Sequence, residues 1–176
     1  MISSWARTAG SGRPTRATGA SGTSIRTAGS ASCTKGSARR ALALSADQAL
    51  LAVADAFDRC IWSFALAGDG SARHGEPFYR LELGETGSAA GTGGLTVDSE
   101  GYLYVATTRG IQVFDQPGRV TAIIDLPAPS AASSIVFGGR DLDTLYLTSG
   151  DQLFRRRLRR KGVFPGQIVK LPTPRL

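Results

Sequence analysis

The chain has 176 residues, 41% of them hydrophobic, and a formal net charge of +7. That length suits one domain of ordinary size. No apolar run approaches the roughly 18 residues of a membrane span, and no N-terminal apolar h-region marks a cleaved secretory signal. Two cysteines, Cys33 and Cys60, make neither a disulfide framework nor a metal cluster, so a reducing cytoplasm is the expected location. With one histidine, His74, and no asparagine, a mechanism needing two His ligands or an Asn ligand is excluded for this chain alone.

The charge is local. Residues 1–40 hold seven basic residues and no acidic ones, whereas residues 41–176 hold 14 of each. A basic chain suggests nucleic acid or anionic membrane as a partner, but here the bias belongs to one segment. Residues 1–40 are mainly Gly, Ala, Ser, Thr and Arg, and their bulky apolar residues are Met1, Ile2, Trp5 and Ile25. No period of 2 or 3.6 runs through these positions. Such a segment buries too little to offset its ordering entropy, so a low-complexity, disordered region is expected. A phosphate-binding arm would carry interleaved aromatics, and Trp5 stands alone. The composition favours a non-native segment, such as a shifted reading frame in GC-rich DNA. Nucleic acid is not an expected partner.

From Ala41 onward, short strand patterns recur between Gly, Asp and Pro turns. The first unit is predicted as Ala41–Leu44, a turn at 45–48, Leu50–Ala54, Cys60–Phe64, a hairpin signal at Asp69-Gly70, and Phe78–Leu83. His74 falls in a predicted loop, Arg73 to Pro77. The second unit is Leu95–Val97, a turn at 98–101, Tyr102–Ala106, Ile111–Phe114, a turn at 116–118, and Val120–Leu126. The third is Ser134–Phe137, a Gly138-Gly139 turn, Thr144–Leu147 and Gln152–Arg156. First-strand spacing is 53 residues from Leu42 to Leu95 and 40 from Leu95 to Ile135. Units of about 40–50 residues with four short strands are the signature of propeller blades. The expected fold is all-β, a partial β-propeller of about three blades over residues 41–160. Residues 161–176 form a Pro-containing tail.

Several residues invite functional readings. Asp98 and Glu100 could hold a cation, but an Asp in a tight turn accepts backbone N–H bonds, and Asp47 repeats that role. His74 has no partner for base catalysis in a recognisable motif and reads as an exposed loop histidine. Gly91-Thr92-Gly93-Gly94 precedes no helix, so a phosphate cradle is not expected. The run Arg155-Arg156-Arg157-Leu158-Arg159-Arg160-Lys161 reads as a final strand with a charged outer edge.

Three stretches carry a family resemblance. Ala41-Leu42-Ala43-Leu44-Ser45-Ala46-Asp47 resembles the pattern N-G-L-A-x-S-P-D. Gly94 to Thr107 resembles D-G-L-x-V-D-x-E-G-x-L-Y-V-A. Ser134 to Gly139, with Thr144 to Thr148, resembles N-x-x-F-G-G followed by x-L-Y-V-T. Together they are similar to the gluconolactonase and senescence-marker-protein (regucalcin) family. The resemblance implies a six-bladed propeller, of which this chain supplies the C-terminal half. It also implies hydrolysis of sugar lactones assisted by one divalent cation, calcium or zinc, in the central channel. The family's Asn ligand position is Arg40 here, and its Asp ligand position is Gly93. Neither supplies an anionic oxygen, so this chain is not expected to bind the cation. No other catalytic, cofactor or metal residue is assigned.

The expected function is therefore that of a fragment of a metal-dependent sugar-lactone hydrolase with an incomplete site. The alternative is a non-catalytic propeller module for binding or scaffolding, with basic ends. An open arc of blades leaves apolar faces in water, so self-association through those faces is expected.

Overall fold

In the computed structural model, residues 5–7, 39–55, 58–83, 91–127, 131–164, 166–167 and 169 are described. They form strands and turns with no helix. The strands are β1 (Ala6–Arg7), β2 (Arg39–Leu44), β3 (Leu50–Asp55), β4 (Cys60–Leu66), β5 (Ala72–Arg80), β6 (Leu95–Val97), β7 (Leu103–Thr107), β8 (Gly110–Phe114), β9 (Val120–Ile124), β10 (Ala132–Gly138), β11 (Thr144–Ser149) and β12 (Gln152–Arg157). They build three four-stranded antiparallel sheets, ordered β2-β3-β4-β5, β6-β7-β8-β9 and β10-β11-β12-β1. This is the predicted partial propeller.

Aspartates close the turns locally. Asp47 Oδ1 accepts from Ser45 Oγ at 2.6 Å and from the Ala49 amide at 3.2 Å. Asp69 Oδ1 accepts from the Ser71 amide at 2.9 Å, and Asp115 Oδ1 from the Arg119 amide at 2.7 Å. Each replaces a turn's missing backbone partner with a short side chain that reaches two to four residues ahead.

Two apolar seams join the sheets. Ala52, Ala54, Ile61 and Tyr79 of the first sheet pack on Leu95, Leu103, Val105 and Phe114 of the second. Tyr104, Ala106, Ile111 and Val113 on the second sheet's other face pack on Ile135, Phe137, Leu145, Leu147 and Phe154 of the third. The alternation of side chains along each strand explains both seams, since the second sheet is apolar on each face and buried on each. Gln112 is fully buried in the middle sheet. Its amide mimics a strand: Oε1 accepts from the Glu82 amide at 2.9 Å and Nε2 donates to the Glu82 carbonyl at 2.7 Å. The first sheet's exit is thus tied to the second sheet by paired polar groups, as burial demands.

The structure corrects the sequence reading at two places. Strand β5 begins at Ala72, so His74 lies in a strand rather than a loop. The pairing slips between Ser63 and Ala65, opposite Glu76 and Arg73. This bulge places His74 at φ 52°, and the local break in pattern hides the strand. A Cβ at Gly75 would overlap the Phe64 ring, which explains a glycine inside this strand.

The second difference concerns the third sheet. Its pattern predicts three strands, and the fourth comes from the far N-terminus. Ala6 pairs with Arg155 and Arg7 with Phe154. Within the run, Arg155 is therefore flanked by a strand on both sides, whereas Arg156 and Arg157 lie beyond the two-residue pairing. Trp5 Nε1 donates to the Asp125 carbonyl at 3.0 Å, and the Arg156 guanidinium lies 5.9 Å from the Trp5 ring centre. Elsewhere in the segment expected to be disordered, residues 1–4 and 8–38 lie outside the described residues. In the predicted tail, residues 165, 168 and 170–176 do too. Trp5→Ala should lower stability by about 1 kcal/mol, the loss of one hydrogen bond and a ring contact. Urea unfolding followed by circular dichroism checks it.

Candidate active site

Strands β2, β6 and β10 head their sheets, and β6 neighbours both β2 and β10 in space. The starts of β6 and β10 lie together, because Gly93 and Gly94 abut Ala132 to Ile135. The ends of β2 and β6 lie together, because Leu44 and Val97 line one cleft. The family-matched positions Arg40 and Gly93 both belong to the starting ends.

At the start of β6 the backbone is closely packed. The Gly93 amide donates to the Ala106 carbonyl at 2.8 Å, and the Ala106 amide to the Gly94 carbonyl at 3.0 Å. A Cβ at Gly93 would stand 2.5 Å from the Ala132 carbonyl oxygen and 2.9 Å from that of Ser133. One at Gly94 would stand 2.8 Å from the Ile135 nitrogen. Both glycines thus let two inner strands approach backbone to backbone. The neighbouring polar groups are hydroxyls already engaged. Thr92 Oγ1 donates to the Asp55 carbonyl at 2.7 Å, and Ser133 Oγ lies 2.8 Å from Thr148 Oγ1. The sequence flags Gly93 as a changed ligand, but its packing role needs the third sheet in place to be seen.

The acidic turn at the opposite end of β6 is a structural hub. Asp98 is 0% exposed. Its Oδ1 accepts from the Glu100 and Tyr102 amides, each at 2.9 Å, as the turn reading expects. Its Oδ2 accepts from the Tyr104 hydroxyl at 3.2 Å and lies 3.6 Å from Arg160 Nη1. That same nitrogen donates to Glu100 Oε2 at 2.6 Å, and the guanidinium sits 3.6 Å from the Tyr102 ring centre. Burial pushes the Asp98 carboxyl above its ordinary range, against the pull of the Tyr102 amide and Arg160. Burial likewise raises the Tyr104 hydroxyl, helped by Asp98. Burial alone would lower Arg160, but Asp98, Tyr102 and Glu100 outweigh it and the net shift is upward. Arg160 was legible only as one charge in a basic run, since its partners lie about sixty residues away.

The chain after the third sheet crosses this same end. The Ser99 amide donates to the Lys161 carbonyl at 2.8 Å, and the Val169 amide to the Ala46 carbonyl at 3.1 Å. It covers a cleft of about 230 Å³ lined by Leu42, Leu44, Leu95, Val97, Phe164 and Gln167. His74 belongs to the last strand of the first sheet, so the structure does not bring it to the inner strands.

Comparison with known proteins decides the lineage. The family described as the SMP-30/Gluconolactonase/LRE-like region matches residues 17–151. The chain belongs to this family. The match begins upstream of Ala41, in the segment that composition reads as non-native, and residues 17–38 there lie outside the described residues. Among relatives, lactonohydrolase oryH of Aspergillus oryzae is 29% identical over 105 residues, covering 59% of this chain and 21% of that one. A luciferin-regenerating enzyme superposes with a TM-score of 0.62 at 28% identity, covering 76% of this chain and 49% of its own. The calcium-binding protein regucalcin of Agrobacterium tumefaciens shares the fold, with a TM-score of 0.62 at 20% identity, covering 72% of this chain and 48% of its own. The SMP-30/gluconolactonase chain described here thus spans less than half the length of each of these proteins.

The divalent cation that the family implies does not fit these residues. Gly93 offers no side-chain oxygen, and any side chain there would meet the Ala132 carbonyl. Arg40 is a fixed cation by its chemistry. No cluster of three or more His, Cys, Asp or Glu suited to an ion occurs among the described residues.

Proposed function

We propose that this chain descends from metal-dependent sugar-lactone hydrolases and that its own residues do not complete their hydrolytic site. Membership of the family supports the lineage, as does the likeness to a lactonohydrolase. The observation that carries the second half is the contact of Gly93 with two carbonyl oxygens of the neighbouring sheet. A hydrolase of this type needs an oxygen-rich cation cage to polarise the lactone carbonyl. At the matched position this chain has backbone, packed on backbone.

The second reading is a non-catalytic binding or scaffold module. It is favoured by the same close packing, and by the hydroxyls of Thr92, Ser133 and Thr148, which are turned to backbone and to each other. No helix among the described residues is long and apolar enough to cross a membrane. A cytoplasmic setting rests on the cysteine usage of the sequence, two cysteines and no disulfide framework.

A lactone-hydrolysis assay tests the proposal. The full chain, with glucono-δ-lactone and added calcium or zinc, should give no turnover above the metal-containing buffer. Metal-dependent turnover that saturates with lactone would overturn it.

A further inference from the structure

The segment that follows the third sheet is held differently from the strands. Leu158 begins it, its amide donating to the Asp143 carbonyl at 2.7 Å. At Lys161 and Gly162 the chain passes between two turns. The Lys161 carbonyl accepts from the Ser99 amide of the second sheet's turn, and the Gly162 amide donates to the Leu142 carbonyl of the third sheet's turn, each at 2.8 Å. Gly162 also forms an isolated bridge with Asp98, and a Cβ there would overlap Phe137. One short segment thus touches two sheets at once, through single backbone bonds rather than a ladder.

Arg160 carries the side-chain part of this anchor. It reaches back to the second sheet's turn, donating to Glu100, stacking on Tyr102 and lying 3.6 Å from the fully buried Asp98. Beyond Gly162 the hold is slight. Phe164 is 57% exposed, and the Gln167 amide closes a turn onto the Phe164 carbonyl at 3.0 Å. A bond to the first sheet's turn follows at Val169, whose amide donates to the Ala46 carbonyl at 3.1 Å. Phe164 and Gln167, between the two anchors, line the cleft with Leu44 and Val97.

Single surface bonds and little apolar burial mark a segment that opens more easily than the whole chain unfolds. The turn it docks on favours release as well. Leu142 stands at φ 53°, a conformation unfavourable for leucine that persists only where its surroundings hold it.

We propose that the segment anchored at Lys161–Gly162 and at Val169 opens and closes as one unit over the cleft between the first and second sheets, with Arg160 as its latch.

Arg160 does not itself line the cleft, so it acts as a positioning residue. Native-state hydrogen exchange of the full chain in low denaturant, read amide by amide by NMR, tests this. The Ser99, Gly162 and Val169 amides are expected to share one opening, shallower than that of the fully buried Ala106. Arg160→Ala should lower the protection of all three by one common factor of about a hundred, although Val169 bonds to a different sheet. Gly162→Ala, which pries the segment from Phe137 without changing charge, should also lower Ser99 and Val169 together. Arg157→Ala removes an equal charge from a side chain that is 77% exposed, and it should leave the shared opening unchanged. Exchange of Val169 independent of Ser99 and Gly162 would overturn the proposal. Exchange of all three together with Ala106 would overturn it too, and this wild-type comparison needs no variant to fold. A Val169 amide untouched by Arg160→Ala would likewise overturn it. Failure of the lactonase reading would leave these results unchanged, because no readout involves turnover.

Discussion

Gly93→Asp is expected to destabilise the chain by about 3 kcal/mol and to create no ion site. The new Cβ would meet the Ala132 and Ser133 carbonyl oxygens at 2.5 and 2.9 Å. These are backbone atoms fixed in β10, so they cannot rotate away as a side-chain tip would. The carboxylate would also face two carbonyl dipoles of its own sign, which adds a desolvation cost. For a chain of this size the thermal midpoint should fall by roughly 10 °C. Gly93→Ala should show most of the loss, which separates packing from charge. Gly68→Ala serves as the control, since nothing stands within 4 Å of a Cβ there. Differential scanning calorimetry of the three variants decides it, and an unchanged midpoint for Gly93→Asp would contradict the packing account.

Arg160→Ala should cost about 3 kcal/mol near neutral pH. The loss comes less from the ion pair itself than from stranding Asp98, which is 0% exposed, without its cation. The exposed partner Glu100 contributes little of it. Arg160→Lys should recover only part, because an ammonium cannot both bond Glu100 and stack on Tyr102. The sign of the pH dependence follows from burial. The folded state holds the Asp98 carboxyl above its ordinary range, so it binds that proton more tightly than the unfolded chain does. Stability from this group is full below about pH 4 and falls as pH rises through the raised folded value. Arg160→Ala should therefore hurt more at pH 7 than at acid pH. Asp98→Asn should remove this group's slope while its amide oxygen still accepts from the Glu100 and Tyr102 backbones. Urea titrations of the two single variants and the double variant across pH measure the coupling. Equal losses from Arg160→Ala at both ends of the pH range would contradict the scheme.

Legibility in the sequence followed the range of the interactions. The second sheet reads almost residue for residue, because its strands alternate cleanly between Asp-Ser-Glu-Gly and Gln-Pro-Gly turns. Asp98 reads as a turn residue for the same local reason. Strand β5 is obscured by its own bulge, where Gly75 and Pro77 look like breakers although the strand runs through them. Strand β1 is illegible in principle from local pattern: two residues pair with a strand near the other end of the chain. Gly93 shows the limit at the candidate site. A motif comparison marks it as a missing ligand, but the neighbouring carbonyls that forbid a side chain there belong to another sheet. Arg160 is alike, one guanidinium among six basic residues until its acidic partners are brought beside it.

At Gly93, the position matched to the family's Asp ligand, backbone packs on backbone and leaves no room for a side-chain ligand. Thermal unfolding of the full wild-type chain, with and without excess calcium or zinc chloride, tests it most directly. Binding to the folded state raises a midpoint by mass action, whereas an ion without a site leaves it in place. The transition is expected to stay unmoved. A saturable rise of several degrees with either ion would contradict it.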